Sequence, residues 1–394
     1  MSIPSGCASA SASVSPRASG RRRTVLLAVA IALGALSPAA AGAPPAILAP
    51  AYLVRGGIDG VVLAERAADT QRRVASITKL MTVLVALERS NLGDKVLVSP
   101  QAAHVGGSTI RLRAGERISV RDLAIGALLP SANDAATALA EHAGGGSVAP
   151  FVRLMNAKAR ALGLRHTRFA NPHGLDEEGH YSSARDVVAL LIAALRDPFI
   201  RTWAARKSAA IAGGRVVEST DDLIGRLPEL VGGKTGHTNE AGWSLVAAAQ
   251  ERGVRVTAAV LGSPTEDQRD RDLETLLRWG LAQYRPIRAI DASRTYALVR
   301  TAYGRPDVRL VATATVVRAA RVDRPLRELI VAPTAVALPV RNAQRLGEVR
   351  VYDGHRLVAS APLVAARAVT APGVSGKIGW YARRTVHHLA GFVS

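Results

Sequence analysis

Apolar positions change their spacing several times along this chain, and each change marks an element. Leu80, Val83, Leu84 and Leu87 recur at i, i+3, i+4 and i+7. That is the stripe of one helical face, and it runs out near Asn91-Leu92-Gly93. Just before it, residues 47–65 hold two short apolar stretches around Gly56-Gly57-Ile58-Asp59-Gly60, the signature of a hairpin. Residues 119–141 predict two helices, the first with Val120, Leu123, Ala124, Ala127 and Leu128 on one face. They break at Leu129–Asp134, because Pro130 cannot continue a helix. Further helices are predicted over about 148–162, ending at Gly163, and over 183–195, with Ser182 or Ser183 as cap.

The second half alternates differently. The run Gly242–Ala249 and the stretch 254–261 after Gly253 predict an antiparallel strand pair, and a helix follows over about 266–282. Beyond Tyr284-Arg285-Pro286 the texture becomes β-rich, with Val308–Val311, Thr313–Val317 and an Asp353-Gly354 turn. A domain boundary is expected near 285–290. The expected fold class is α+β over residues 44–285, followed by a small all-β domain over 286–370 and a tail over 371–394. Plotted at the helical angle, the tail puts Ile378, Tyr381, Val386, Leu389, Phe392 and Val393 on one side. Lys377, Arg383, Arg384, His387 and His388 take the other, with Trp380 as the apolar exception among them. Such a helix suits an anionic membrane surface; a helix packed on the β domain, or a frayed end, is the alternative.

Residues 1–43 read as an export signal. Arg21-Arg22-Arg23 precede an apolar run from Thr24 to Leu36, then small residues Ala39 to Ala43. Cleavage after Ala41 or Ala43 fits; retention as an anchor and a twin-arginine route are alternatives. No later segment has the roughly 18 uninterrupted apolar residues of a membrane span. The single cysteine, Cys7, lies in this segment, so a disulfide framework and a cysteine nucleophile are both excluded from the exported chain.

The 394 residues carry a formal charge of +20, of which Arg17, Arg21, Arg22 and Arg23 belong to the signal. A basic surface favours anionic partners. Nucleic acid is not expected as one, because the arginines are scattered and no aromatic-basic patch or recognition motif occurs.

Candidate chemistry sits in three short motifs: Ser76-Ile77-Thr78-Lys79, Ser131-Ala132-Asn133 and Lys234-Thr235-Gly236. Lysine is scarce here: six residues, Lys79, Lys95, Lys158, Lys207, Lys234 and Lys377, against a large excess of arginine. Arginine never deprotonates in a protein, whereas a desolvated lysine can act as a base. Two of those six lysines fall in the motifs, and only Lys79 has a serine three residues before it. Ser76 would open a helix with Lys79 one turn on, within reach of its hydroxyl. A helix N-terminus there would favour a developing oxyanion. Lys79 would take the Ser76 proton once burial and the cation of Lys234 depress its pKa. Ser131 would relay a proton to the leaving amine, Asn133 would hold a substrate amide, and Lys234 with Thr235 would meet a carboxylate. Gly236 would let a substrate strand approach closely. The nine histidines offer no zinc spacing, so no metal and no cofactor is expected. His173, in Asn171-Pro172-His173-Gly174, reads as a structural turn residue.

With their flanks these motifs resemble the penicillin-recognising serine enzymes, specifically the low-molecular-weight D-alanyl-D-alanine carboxypeptidases. Asn171–Leu175, Tyr181–Asp186, and Gly233–Thr238 with Glu240-Ala241-Gly242-Trp243 carry the likeness beyond the motifs. It is strong over about 47–284 and loose over 290–370, best at Pro362-Leu363-Val364. The resemblance implies a β-lactamase-type catalytic domain: an antiparallel sheet with flanking helices and a helical subdomain. It implies that Ser76 is acylated, that Lys79 is its base, and that Ser131 and Asn133 line the cleft. Lys234, Thr235 and Gly236 would edge that cleft, and the N–H groups of Ser76 and His237 would form the oxyanion hole. Arg269 would help hold the terminal carboxylate, with Arg271 as its rival. The substrate implied is the peptidoglycan stem pentapeptide, and β-lactams would be inhibitors. Two departures stand out: Asp221-Asp222-Leu223 where the family often has an Asn-rich segment, and Ala132 where Gly is frequent. A β-lactamase, a DD-endopeptidase and a non-catalytic wall-binding protein remain rival readings, although no Glu-x-x-x-Asn setting for a deacylating base occurs between Ser131 and Lys234.

Overall fold

The computed structural model describes residues 26–32 and 42–390. Contacts divide the chain into two units, one built on 36–287 with 319–324, the other on 288–318 and 325–394 together with the N-terminal residues.

One strand precedes the first unit's elements in the chain, β1 (Leu26–Ala32). The unit itself opens with the hairpin β2 (Ala51–Gly56) and β3 (Val62–Arg66). A 3-10 turn at Ala75–Thr78 then runs into α1 (Lys79–Leu87). β4 (Lys95–Leu97), the short α2 (Pro100–Ala103) and β5 (Arg117–Ser119) lead to α3 (Val120–Leu128) and α4 (Asn133–Ala143). Next come α5 (Val148–Ala161), α6 (Ala184–Ala194) and α7 (Pro198–Trp203). A small hairpin, β6 (Ser208–Ile211) and β7 (Arg215–Glu218), precedes β8 (Leu230–Thr238), β9 (Gly242–Glu251) and β10 (Val254–Ser263). Helix α8 (Glu266–Ala282) closes the unit.

The caps explain where several helices start. The hydroxyls of Ser119, Ser183 and Thr265 accept from Asp122, Asp186 and Gln268 N–H groups, which would otherwise be orphaned. Of the two serines proposed as cap for α6, Ser183 is the one used.

Five strands form the central antiparallel sheet in the order β3-β2-β10-β9-β8, which leaves β8 on an edge. Both faces of this sheet are covered, so its middle strands read as near-continuous apolar runs. Val246, Ala248 and Ala259 point into a core shared with α1, α3, α4, α5 and α6. Leu245, Ala247, Ala249, Val256 and Ala258 point the other way, onto Leu273, Leu276 and Leu277 of α8. The period of two along each strand thus serves two cores.

The residues of β11 (Tyr284–Ile290) and β14 (Val316–Arg321) divide between the two units, and the second unit draws on β12 (Thr295–Thr301) and β13 (Val308–Ala312). β15 (Arg327–Pro333), β16 (Ala335–Val336), β17 (Arg345–Asp353), β18 (Arg356–Ala365) and the terminal helix α9 (Val374–Ala390) complete it. Among the described residues its main sheet runs β1-β15-β17-β18-β13-β12-β16. Leu310, Val349, Val351 and Leu363 are fully buried beneath it. The edge strand β1 comes from the apolar run of the segment read as an export signal, and pairs antiparallel with β15. The arginine run, the small residues Ala39 to Ala41 and Cys7 of that segment lie outside the described residues.

Helix α9 explains the apolar exception on the tail's basic side. Trp380 packs edge-on against Tyr303, with centroids 5.5 Å apart, and Lys377 sits over the same ring. Val374, Ile378 and Tyr381 stay exposed, at 76%, 63% and 57%. The side chain of Val386 and the residues Phe392 and Val393 lie outside the described part. No helix among the described residues is long and apolar enough to cross a membrane.

Candidate active site

The three motifs converge at one end of the sheet, each on a different kind of element. Ser76 lies on the 3-10 turn and Lys79 is the first residue of α1. The turn is tighter than the α-helical start expected from sequence, and Ala75 pays for it with a φ of 47°. Lys79 is fully buried. Its amine lies 2.6 Å from the Ser76 Oγ and donates to the His173 carbonyl at 2.8 Å. Burial holds this amine well below its usual pKa, the nearby Lys234 cation pushes it further down, and Asp134 opposes both. A neutral amine has a lone pair to receive a proton.

The loop 171–175 holds this end of α1. Thr82 donates its hydroxyl to the Pro172 carbonyl at 2.5 Å, and the Thr78 hydroxyl meets His180 Nε2 at 2.8 Å. Asn171 Oδ1 accepts from the Gly174 N–H at 2.7 Å and closes the turn. The His173 ring is neutral, since burial drives its pKa down to about 3. Gly174 has a φ of 91°, and a Cβ there would lie 2.0 Å from the Ala75 carbonyl oxygen. Gly174→Ala is therefore expected to destabilise the fold by about 3 kcal/mol or more, through backbone strain and a contact that cannot relax. Chemical denaturation measures this directly; an unchanged midpoint would refute it.

Ser131 and Ala132 lie on the short connection between α3 and α4, as expected from Pro130, and Asn133 begins α4. Ser131 adopts a φ of 62°, unusual for a residue with a side chain. Asn133 donates from Nδ2 to the Gly106 carbonyl at 2.7 Å, which fixes the amide with Nδ2 on that side. Its neighbour Asp134 accepts backbone N–H groups from Ile110, Leu112 and Ala135. The segment 106–112 is thereby laced to the start of α4.

Lys234, Thr235, Gly236 and His237 all lie within β8, paired with β9 from Val246 to Trp243. Lys234 is buried, donating to Ser131 Oγ at 3.0 Å and to the Thr235 carbonyl at 3.1 Å. Burial lowers its pKa to about 7, with Asp221 pulling upward and Arg269 downward. Gly236 brings β8 against the nucleophile turn: a Cβ there would sit 2.5 Å from the Val74 carbonyl and 3.2 Å from the Ser76 nitrogen. The Thr235 and Thr220 hydroxyls are 2.5 Å apart.

Arg269 is 1% exposed on α8, held by Asp270 at 2.7 Å and Glu266 at 3.2 Å. Its guanidinium lies over Trp243, 5.6 Å from the ring centre, and Trp243 stacks on His237 at 3.9 Å. The rival, Arg271, is exposed and ion-paired with Asp267. Sequence reasoning passed over three contributors: the His173 carbonyl, the Gly106 carbonyl and Asp221. The turn chemistry of Asn171–Gly174 was a visible signal for the first. Carbonyls carry no residue-type signal, so the second had none.

The chain is similar to known proteins along most of its length. Residues 38–265 match the D-alanyl-D-alanine carboxypeptidase family. The chain is similar to D-alanyl-D-alanine carboxypeptidase DacD of Salmonella typhimurium, 30% identical over 91% of this chain and 98% of that one. Among solved structures it is similar to penicillin binding protein 5 from Haemophilus influenzae, with TM-score 0.61, 28% identity, and coverage of 83% of this chain and 99% of that one. The Streptomyces K15 DD-transpeptidase matches with TM-score 0.58 and 32% identity, over 61% of this chain and 99% of that one. The match over 38–265 and the likeness to whole relatives lead to one conclusion: this chain belongs to the D-alanyl-D-alanine carboxypeptidase family of serine hydrolases, the low-molecular-weight penicillin-binding proteins.

Proposed function

We propose that this protein removes the terminal D-Ala from peptidoglycan stem pentapeptides through an acyl-enzyme on Ser76, in the cell envelope outside the cytoplasm. The observation that carries the reading is the buried Lys79 amine 2.6 Å from the Ser76 hydroxyl, with Lys234 bonded to Ser131 beside it. Ser76 Oγ attacks the carbonyl of the penultimate D-Ala, and its proton passes to the Lys79 lone pair. The N–H groups of Ser76 and His237 meet the developing oxyanion, where losing one such donor costs about 3 kcal/mol. Ser131 relays that proton from Lys79 to the leaving amine, giving its own hydroxyl proton and regaining one, so that D-Ala departs neutral at nitrogen and Lys79 is again a free amine. Water then hydrolyses the ester.

Asn133 keeps its side-chain oxygen for a substrate amide N–H, since Nδ2 is committed to Gly106. Lys234, Thr235 and Arg269 face the terminal carboxylate; the Trp243–His237 stack ties Arg269, not Arg271, to the end of β8. Penicillins acylate the same serine. Residues 1–43 act as the export signal. The basic face and exposed Val374, Ile378 and Tyr381 of α9 rest on an anionic membrane surface.

Intact mass of the chain from Ala46 onward, incubated with benzylpenicillin, tests the site. A one-to-one adduct mapping to Ser76 and absent from Ser76→Ala is expected, together with D-Ala release from a pentapeptide. Untouched penicillin would refute the acylation; rapid turnover to penicilloate would mark a β-lactamase instead.

A further inference from the structure

We propose that Asp221 is a positioning residue of the active site: its buried carboxylate, held against β8 at Gly233, is the counter-charge to Lys234. The proposal rests on the reading of Lys234 as the cation that meets the substrate's carboxylate.

The paired aspartates that break the family's Asn-rich pattern have opposite fates. Asp222 is exposed, whereas Asp221 is 6% exposed. Its Oδ1 accepts from the Leu223 N–H at 3.1 Å, but its Oδ2 is buried without any hydrogen-bond partner. An unpaired buried carboxylate oxygen is costly unless a charge compensates it.

The backbone holds it beside the third motif. Thr220 N–H donates to the Leu129 carbonyl at 3.2 Å, next to the second motif. The Thr220 hydroxyl meets that of Thr235. The orphaned Oδ2 would lie 2.8 Å from a Cβ at Gly233, so only glycine can precede Lys234 here without moving the carboxylate. Residues 219–221 therefore span the two motifs whose side chains, Ser131 and Lys234, are bonded to each other.

The charged groups that act on Asp221 are Arg269 and Asp270 from α8 and Lys234 from β8. Burial raises the carboxyl to about 6, while Arg269 and Lys234 favour its charged form. In its anionic form it raises Lys234 against burial and Arg269. The sign follows directly: without that anion Lys234 loses its proton at lower pH. The cation that attracts the substrate's carboxylate, and that pushes the Lys79 pKa down, would then be lost below neutrality.

Six lysines make a direct test practical. The chain from Ala46, labelled with lysine carrying carbon-13 at Cε, would be titrated by NMR, with Lys234 assigned through Lys→Arg substitutions. In Asp221→Asn, which keeps the shape and removes the charge, the Lys234 midpoint is expected to fall by at least half a pH unit. The alkaline limb of benzylpenicillin acylation should move down with it, and Asp222→Asn should move neither. An unchanged or raised Lys234 midpoint in Asp221→Asn would overturn the proposal.

Should Asp221→Asn fold poorly, the parent chain still decides. Its Lys234 resonance should show a second inflection near the Asp221 titration, observed with aspartate labelled at Cγ; a single-step curve would overturn the proposal. The NMR readout needs no turnover. Failure to form a penicillin adduct would sink the proposed activity and leave this coupling standing, and the reverse holds equally.

Discussion

Lys79→Arg is expected to slow acylation by benzylpenicillin roughly 10²–10⁴-fold, the usual worth of a positioned base. Charge is preserved by this change, but the lone pair is not. Arginine stays protonated at every accessible pH, whereas the native amine is held neutral by burial and by Lys234. The variant should therefore not regain its rate as the pH is raised. The site also has no room for a larger group: Lys79 is fully buried, with its Nζ already bonded to Ser76 Oγ and the His173 carbonyl. Rapid-quench mass spectrometry of the adduct measures the rate. A Lys79→Arg variant that acylates as fast as the parent would remove Lys79 from the chemistry.

Gly236→Ala should cost about 10²-fold in the same rate while sparing the fold. The backbone at Gly236 has an ordinary conformation, so alanine brings no torsional strain. Its Cβ would instead sit 2.5 Å from the Val74 carbonyl and 3.2 Å from the nitrogens of Ser76 and Ile77. Strand β8 is an edge strand and can retreat while it keeps its ladder to β9. A retreat of about 1 Å would open the distance between the Ser76 and His237 N–H groups, and misplacement on that scale costs about 10²-fold. Thermal melting should barely change. A rate within threefold of the parent would refute the claim that this contact sets the oxyanion geometry. The contrast with Gly174→Ala is instructive, because there both the torsion and the contact are forbidden and stability itself should fall.

Paired buried lysines give the site its electrostatic logic. Burial favours the neutral form of both; the Lys234 cation adds to this at Lys79 and Arg269 adds to it at Lys234, while the carboxylates Asp134 and Asp221 pull in the opposite direction. Both amines are held below their ordinary range, Lys234 at about 7. In the proposed mechanism one lysine is the base and the other the cation, roles that their environments rather than their residue type would divide.

Much of this was readable before any coordinates. Elements follow from local periodicity: the α1 stripe, the break at Pro130 and the Ser183 cap all depend on residues within a turn or two. The chemistry proposed for Ser76, Lys79, Ser131, Asn133 and Lys234 likewise starts from residue type, because an acylating serine needs a base that can lose its proton and only lysine of the two basic types can. What the chain order conceals is pairing at a distance. The His173 carbonyl reaches Lys79 across 94 positions, and Lys234 reaches Ser131 across 103. Trp380, misplaced on a basic helical face by sequence, is explained only by Tyr303. Two adjacent aspartates look alike in sequence, yet one is solvated and the other carries an orphaned oxygen beside the site. Sequence by itself determined which groups were available and which local structures would carry them. Tertiary structure alone decided which lone pairs and charges met, because burial and long-range register, not residue type, set the local dielectric and the distances on which a pKa depends.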